Sequence, residues 1–259
     1  MAKPSRCSGR SNYLAVLVAA WLLCPSLTGA TNRTEALDWS RITPFPGCEQ
    51  AALSLQLLIP GAYSANELPA NPGGRWYALT RLESRFVLRM IELHLRPIDN
   101  PRVTGDRSVP GVSVESGVAD SALFFFRGPN GWREETVQAW LPARVRLKPG
   151  TSVGLHGVGA HRWELLGTPL APTRYEGIQM YKLRIHDRES GRSQDIGGWT
   201  GLPPSIEWVG DLDGDGDLDL LLLDVTSETG SRSWTLFLSS KAAGNDILGR
   251  AAEFGHPGC

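Results

Sequence analysis

The 259-residue sequence has few cysteines, no excess of charge of either sign and no long apolar run beyond its first thirty residues. Its formal net charge is -1, and Lys, Arg, Asp and Glu are interspersed without a basic patch. A nucleic-acid partner is therefore not expected, because proteins that bind nucleic acid present clustered positive charge. No later segment approaches the ~20 apolar residues of a membrane-spanning helix. We expect no membrane span once the N-terminal segment has been removed.

The common signatures of catalytic sites are also missing. The sequence contains no Gly-x-Ser-x-Gly turn, no His-Glu-x-x-His, no phosphate-binding Gly-Lys-Ser/Thr loop and no dinucleotide fingerprint. His156 and His161 lie in a glycine-rich stretch without a cysteine or carboxylate at ligand spacing, so we interpret them as loop histidines. Glu207 is a conceivable general acid, but an exposed charge on a strand is the favoured interpretation. The sequence does not favour an enzyme.

The first thirty residues have the pattern of a secretory signal. Basic residues precede an apolar stretch at 14–24, and Thr28-Gly29-Ala30 places small residues where a signal peptidase cleaves. The stretch is short for a retained membrane anchor, and Leu23 before Cys24 disfavours lipid attachment. We predict a signal peptide at 1–30 and a secreted chain, periplasmic or extracellular.

Cleavage after Ala30 leaves two of the four cysteines, Cys48 and Cys259. In an oxidising compartment the simplest pairing is a disulfide bond between them. In the chain-entropy model a loop of this length contributes roughly 4–5 kcal/mol to stability. No base lies near either cysteine in the sequence, so a structural bond is favoured over a catalytic thiol.

The distribution of glycine, proline and apolar residues predicts a mostly β protein. The chain has 29 Gly and 18 Pro, and its apolar residues occur in short alternating runs, which is typical of brief strands joined by turns. We predict an antiparallel sandwich- or barrel-like domain with few short helices. The expected strands are 75–82, 86–96, 121–127, 144–148, 163–166, 181–186, 206–209, 220–223 and 234–238, with a hairpin loop at 188–191.

Two segments lack the apolar pattern expected of strands that pack in a core. Residues 31–47, with Pro44 and Pro46, are expected to form a flexible leader. Residues 97–120, rich in Pro, Gly, Asp and Ser, are expected to form a long surface loop. The β-rich domain is therefore expected at 48–259, as one domain or two subdomains.

Residues 211–219 place five aspartates in nine positions, directly before the apolar run 220–223. Carboxylates at this density repel one another, and a hard cation with oxygen ligands relieves the repulsion. Gly216, at the sixth position, supplies the backbone freedom that a tight turn around calcium needs. The first, third, fifth and ninth positions offer side-chain oxygens and the seventh a carbonyl; they are Asp211, Asp213, Asp215, Asp219 and Asp217.

The segment differs from an EF-hand, because Leu222 stands at the twelfth position and a strand-like run follows the loop. Residues 206–240 instead resemble the calcium hairpins of FG-GAP and VCBS-type repeats. This resemblance implies that Asp211, Asp213, Asp215 and Asp219 are side-chain ligands of calcium and that Asp217 is a carbonyl ligand. The sequence holds no second copy of the loop, which disfavours a full propeller. The whole layout resembles secreted proteins of Gram-negative bacteria that carry one such segment.

These observations favour a secreted calcium-binding β-domain with a structural or adhesive role, whose partner is a protein or glycan of the cell envelope. A carbohydrate-binding module is an alternative, because the chain has 9 Trp and exposed tryptophans stack on sugar rings. Trp132, Trp140 and Trp199 lie near expected turns and are the best candidates for exposure. A cell-envelope hydrolase or its accessory protein is the second alternative; it would need a cleft with paired carboxylates of raised pKa.

Overall fold

The computed structural model of the protein describes residues 53–99, 109–117, 122–128, 131–141, 144–156, 162–169, 180–200, 202–225 and 231–256. Within these ranges the only helical elements are two 3-10 turns, Ala65–Glu67 and Ser239–Lys241. The described strands are β1 (Gln56–Leu58), β2 (Gly61–Ser64), β3 (Arg75–Leu82), β4 (Arg85–Ile98), β5 (Gly111–Ser116), β6 (Ala122–Arg127), β7 (Glu135–Leu141), β8 (Val145–Arg146), β9 (Ser152–His156), β10 (Arg162–Pro169), β11 (Met180–Asp187), β12 (Ser193–Thr200), β13 (Ser205–Asp211), β14 (Asp219–Val225), β15 (Arg232–Leu238) and β16 (Gly249–His256).

Twelve strands form one antiparallel sheet. Nine of them follow the order β1-β6-β3-β4-β7-β13-β14-β15-β16, and β2, β5 and β8 pair beside this path. The sheet curves back on itself and brings its two ends together. The amide of Leu55, directly before β1, donates a hydrogen bond of 3.1 Å to the carbonyl of Ala251 in β16. The sheet is thus nearly closed, and closure reduces the number of polar backbone groups that an open edge would expose. The prediction of a mostly β, antiparallel and barrel-like domain is confirmed, and the described sheet is not a propeller.

Strand β4 is long enough to serve two parts of the sheet. Its first residues pair with β3 and β7, whereas the residues from Leu93 to Ile98 pair with β5, which in turn pairs with β2. The expected surface loop at 97–120 is therefore wrong over Gly111–Ser116. Val112 and Val114 point from this strand into the core and are fully buried, because alternating apolar residues bury one face of a strand. Glycine, proline and serine around them masked this short pattern.

A second sheet has the order β12-β11-β10-β9 and is antiparallel throughout. The expected hairpin loop at 188–191 joins β11 to β12, and Gly191 adopts a φ of 73° there. Leu165 of β10 and Leu183 and Ile185 of β11 are fully buried on one face of this sheet. That face supplies one side of a second apolar core.

The strands β13 to β15 are buried on both faces, which explains the continuous apolar run at 220–223. Leu221 and Leu223 face the barrel core, where they join Trp208 and Phe124. Leu220 and Leu222 face the second sheet. Successive side chains of a strand alternate between the two faces, so a strand between two cores needs an apolar residue at every position.

Candidate metal centre

The aspartate-rich segment forms the tip of the hairpin between β13 and β14. Gly210 pairs with Asp219, so residues 211–218 must reverse the chain within a few residues. Gly214 and Gly216 adopt φ values of 75° and 85°, in the left-handed region that side chains with a Cβ avoid. The sequence indicates this role for Gly216, and the structure adds Gly214.

Asp211 organises the turn through its carboxylate. Its Oδ1 accepts a hydrogen bond of 2.8 Å from the amide of Gly214, and its Oδ2 accepts one of 3.0 Å from the amide of Gly216. The loop is therefore wrapped around this side chain, with its amides directed inwards. The wrapping brings the carboxylates at the next two odd positions towards the same point.

Oxygen atoms of Asp211, Asp213 and Asp215 all lie within 4.8 Å of one another. Asp215 Oδ1 accepts from the amide of Asp217 at 2.9 Å, and Asp213 Oδ2 accepts from the hydroxyl of Ser240. Asp213 Oδ1 is buried and has no hydrogen-bond partner among the described residues. Three converging carboxylates, one with an unpaired buried oxygen, form the set of hard oxygen donors that calcium or magnesium prefers.

The electrostatics of the cluster favour a bound cation. The pKa values of Asp211 and Asp213 are raised, above all because burial disfavours the charged carboxylates. The nearby charge of Asp215 raises both pKa values further, while hydrogen bonds to the loop lower them. Bringing a divalent cation to this point would offset both the burial and the mutual repulsion.

Asp219 occupies a different position at the base of the loop and is fully buried. Its Oδ2 accepts from the amide of Leu212 at 2.6 Å, and its Oδ1 accepts from the amide of Ser239 at 2.9 Å and from the Ser239 hydroxyl at 3.2 Å. Burial raises its pKa well above the usual range, and the charge of Asp213 adds to the rise. Asp219 thus ties the start of the loop to the turn that follows β15.

The structure brings together the side chains of Asp211, Asp213 and Asp215, and the carboxylates of Asp217 and Asp219 lie outside this group of three. The assignment of Asp219 as a fourth side-chain ligand and of Asp217 as a carbonyl ligand stays a prediction. The fit of the group to a hard cation rests on the three converging side chains and on the unpaired Asp213 oxygen.

Sequence reasoning missed the residues that support the loop from other strands. Ser239 and Ser240 follow β15 and donate hydroxyl hydrogen bonds to Asp215 and Asp213. Because Leu220 pairs with Phe237, the end of β15 necessarily lies beside the start of β14, so the hairpin pattern could have revealed these serines. Glu135 of β7 lies near the loop as well, with Oε1 3.5 Å from where a Cβ on Gly214 would be. No pattern in the sequence around Glu135 predicts this approach.

A cleft of about 500 Å³ opens beside the loop and includes Asp213 and Gly214. Charged side chains of both signs line it, together with Trp132; these are Arg133, Glu135 and Lys241. Trp132 is half-buried, and its ring makes an edge contact with Phe126 at 4.6 Å. The side of the cluster that carries Asp213 therefore faces an accessible, mixed-charge surface.

The remaining candidate residues occupy structural positions. Trp140 is half-buried against the second core, and His156 is exposed on β9. Glu207 forms an ion pair of 2.6 Å with Arg144, and its side chain is only 11% exposed, so it is a paired charge and less exposed than expected. His161, Cys48 and Cys259 lie outside the described residues.

Comparison with models of protein families, with curated proteins and with solved structures finds no match to this chain. In the part of the chain that the structure describes, no helix has the length and apolar character needed to span a membrane.

Proposed function

We propose that this chain is a secreted calcium-binding β-domain in which calcium stiffens the β13–β14 hairpin, and that the domain has a structural or adhesive role. The observation that carries the proposal is the convergence of Asp211, Asp213 and Asp215 within 4.8 Å. Their oxygens match the ligand preference of calcium. The signal-like segment at 1–30 supports the secreted location, where calcium is available at high concentration.

In this proposal the three clustered carboxylates bind calcium first, and Asp219 and the carbonyl of Asp217 complete the shell, as in the FG-GAP and VCBS-type loops. The hydrogen bonds from Gly214 and Gly216 to Asp211 support the pre-formed turn, which lowers the cost of ordering the loop on binding. Calcium then cross-links the tip of a hairpin whose strands belong to both apolar cores. The cleft beside the loop is the surface at which an envelope protein or glycan is proposed to bind.

The test is calorimetric calcium titration of the full chain, with thermal melts in calcium and after metal removal. Calcium at 100 times its dissociation constant adds about 2.7 kcal/mol to stability, which corresponds to a rise in Tm of roughly 5–10 °C for a domain of this size. Asp213→Asn removes one charge from the cluster and should weaken calcium binding by at least about tenfold, since a carboxylate ligand is lost.

Asp217→Asn is the matched control, because it makes the same chemical change in the same loop but outside the clustered carboxylates. It should retain calcium affinity within about threefold, the residual loss reflecting a screened surface charge. Equal losses in both variants would show that calcium is merely attracted to an acidic loop. A Tm that calcium leaves unchanged would overturn the proposal.

A further inference from the structure

A second cavity, of about 340 Å³, lies between β12 and the outer face of β14 to β16. Leu222, Thr235 and Glu253 stand directly opposite one another on these three strands and therefore share that face. Leu222 and Phe237 supply an apolar floor. The cavity is at the lower end of the range of roughly 300–1,000 Å³ that small-molecule sites occupy, and it is separate in its residues from the aspartate loop.

One wall of the cavity is the indole ring of Trp199. The backbone of Gly197 makes room for it, because a Cβ on Gly197 would lie 2.6 Å from the Cη2 atom of Trp199. The neighbouring Gly198 is different, since a Cβ there would meet nothing closer than the Tyr181 carbonyl at 3.8 Å. The placement of the indole thus depends on glycine at one of two adjacent positions.

Asp224 and Tyr181 lie beside the indole and place polar groups in a partly apolar environment. Asp224 accepts hydrogen bonds from the Trp199 indole and the Val225 amide, yet burial still raises its pKa. Tyr181 packs on Trp199 with ring centroids 5.8 Å apart, and its hydroxyl is buried without a hydrogen-bond partner among the described residues. The charge of Asp224 contributes to the raised pKa of Tyr181, which places the two groups near each other.

The opposite side of the cavity carries a fixed charged pair. Glu253 accepts hydrogen bonds of 3.2 Å from the hydroxyl of Ser233 and from Nη1 of Arg250. Arg250 disfavours an organic cation in the cavity, and the carboxylates of Asp224 and Glu253 disfavour an anion. An uncharged ligand with several hydroxyl groups satisfies both acceptors and donors.

We propose that this cavity binds a neutral pyranose ring, stacked on the indole of Trp199 and hydrogen-bonded through its hydroxyls to Asp224, Glu253 and Arg250. Aromatic side chains present an apolar face that suits the C–H face of a sugar, and carboxylates accept hydrogen bonds from neighbouring hydroxyls. The site goes beyond the calcium-dependent role and does not depend on it, because no residue of the cavity belongs to the aspartate loop.

The test is ligand-observed saturation-transfer NMR of the full chain with the methyl pyranosides of glucose, galactose, mannose and N-acetylglucosamine, in calcium and in metal-free buffer. At least one glycoside should receive saturation in both conditions. Gly197→Ala, which displaces the indole, and Asp224→Asn, which removes the charged acceptor, should each weaken binding about tenfold, the loss expected for one good polar or stacking contact. Gly198→Ala should keep the affinity within about twofold.

Thermal melts show whether Gly197→Ala or Asp224→Asn fails to fold. If one of them does, the other still tests the proposal. Binding of none of the four glycosides, or equal binding by the native chain and Gly197→Ala, would overturn the proposal. Saturation of tetramethylammonium in place of the glycosides would overturn it too, since that result assigns the cavity to cations. Glycoside binding that persists without metal shows that the two sites are independent, and the calcium proposal is then tested by its own titration.

Discussion

At the scale of single residues, the buried carboxylate of Asp219 is the most consequential group in the hairpin. It accepts backbone hydrogen bonds from Leu212 and Ser239, two amides that are distant in sequence. Burial makes the group costly to ionise, as its raised pKa shows. Its value to the fold is therefore that it satisfies two amides that would otherwise lack partners inside the protein.

Replacing Asp219 with Ala should destabilise the domain by about 2–4 kcal/mol even without calcium, because both amides lose their acceptor. Urea unfolding of the metal-free protein measures this loss. Asp246→Ala, at an exposed position, is the control and should change stability by less than about 0.5 kcal/mol. A loss below about 1 kcal/mol for Asp219→Ala would mean that water or a rearranged loop satisfies the two amides.

At the scale of the element, the β13–β14 hairpin combines a rigid stem with a charged tip. The stem is buried on both faces, so its strands have a fixed register. The tip concentrates carboxylates whose pKa values are raised by burial and by one another. The stem thus holds together charges that would separate in an unfolded chain.

This arrangement predicts a specific dependence on pH. Because the folded-state pKa values of Asp211 and Asp213 lie above their unfolded values, the folded state binds protons more readily, and these groups destabilise the metal-free fold most at neutral pH. Their penalty should fade as the pH falls through the raised pKa values towards that of an unfolded aspartate. Protons also displace calcium from the same oxygens.

The difference in Tm between calcium-loaded and metal-free protein should therefore be largest near neutral pH and shrink as the pH falls. Taking the difference at each pH cancels the opposite contribution of exposed, ion-paired acids such as Asp195, whose pKa is lowered by Arg184 and Lys182. The Asp213→Asn variant should show a smaller difference with a weaker pH dependence. A difference that stays constant down to acid pH would refute the link between the raised pKa values and calcium.

At the scale of the whole molecule, two apolar cores share the strands β13 to β15. The barrel core contains Trp76, Trp208 and Phe124, and the second core contains Leu165, Leu183 and Leu222. A substitution in the shared strands alters the packing of both cores, because these strands contribute side chains to each of them. The aspartate loop and the proposed sugar cavity are consequently attached to the same rigid sheet.

The barrel seam bears on the proposed disulfide bond. Nine strands in antiparallel succession bring β1 and β16 together running in the same direction, with Leu55 beside Ala251. Cys48 precedes β1 and Cys259 follows β16 in the chain, but both lie outside the described residues, so the bond stays a prediction.

We expect the secreted chain to begin after Ala30 and to carry this bond. Intact-mass measurement before and after alkylation should show a mature chain 2 Da lighter than the reduced form, with no alkylated thiol. Reduction should cost roughly 4–5 kcal/mol at most, the chain-entropy value for a loop of this length. Two alkylated cysteines in freshly secreted protein would refute the pairing.

Many of the strands were predictable from local pattern. The alternation of Ile91, Leu93 and Leu95 with polar residues predicted the centre of β4, and the apolar run at 220–223 predicted β14. The expected strands did not include β2, β5, β7, β9, β12 or β16. Their sequences contain few large apolar residues in alternation, as in Ser-Gln-Asp-Ile-Gly-Gly-Trp-Thr of β12. Such segments become strands because they pair with neighbouring strands, and the alternation of apolar residues in the sequence does not predict that pairing.

The candidate site divides in the same way. The five aspartates and Gly216 were visible because ligand spacing and turn geometry are properties of consecutive residues. The hairpin pattern could have predicted the support from Ser239 and Ser240, because β15 directly follows β14 in the chain. The spacing did not predict the position of Asp219 outside the cluster, which depends on the amides of Leu212 and Ser239 that its carboxylate meets in the fold. The approach of Glu135 depends on the pairing of β7 with β13, two strands far apart in the chain, which the apolar pattern does not specify.

By itself, therefore, the sequence determined the β character of the chain, its turns and the acidic loop, because these follow from the conformational preferences and spacing of neighbouring residues. The tertiary structure alone decided that the sheet nearly closes, with Leu55 beside Ala251, and that β14 lies between two cores. It also decided that Trp199 and Asp224, 25 positions apart, meet at one cavity. Such meetings arise from long-range strand pairing, whose partners are selected by the burial of the whole molecule.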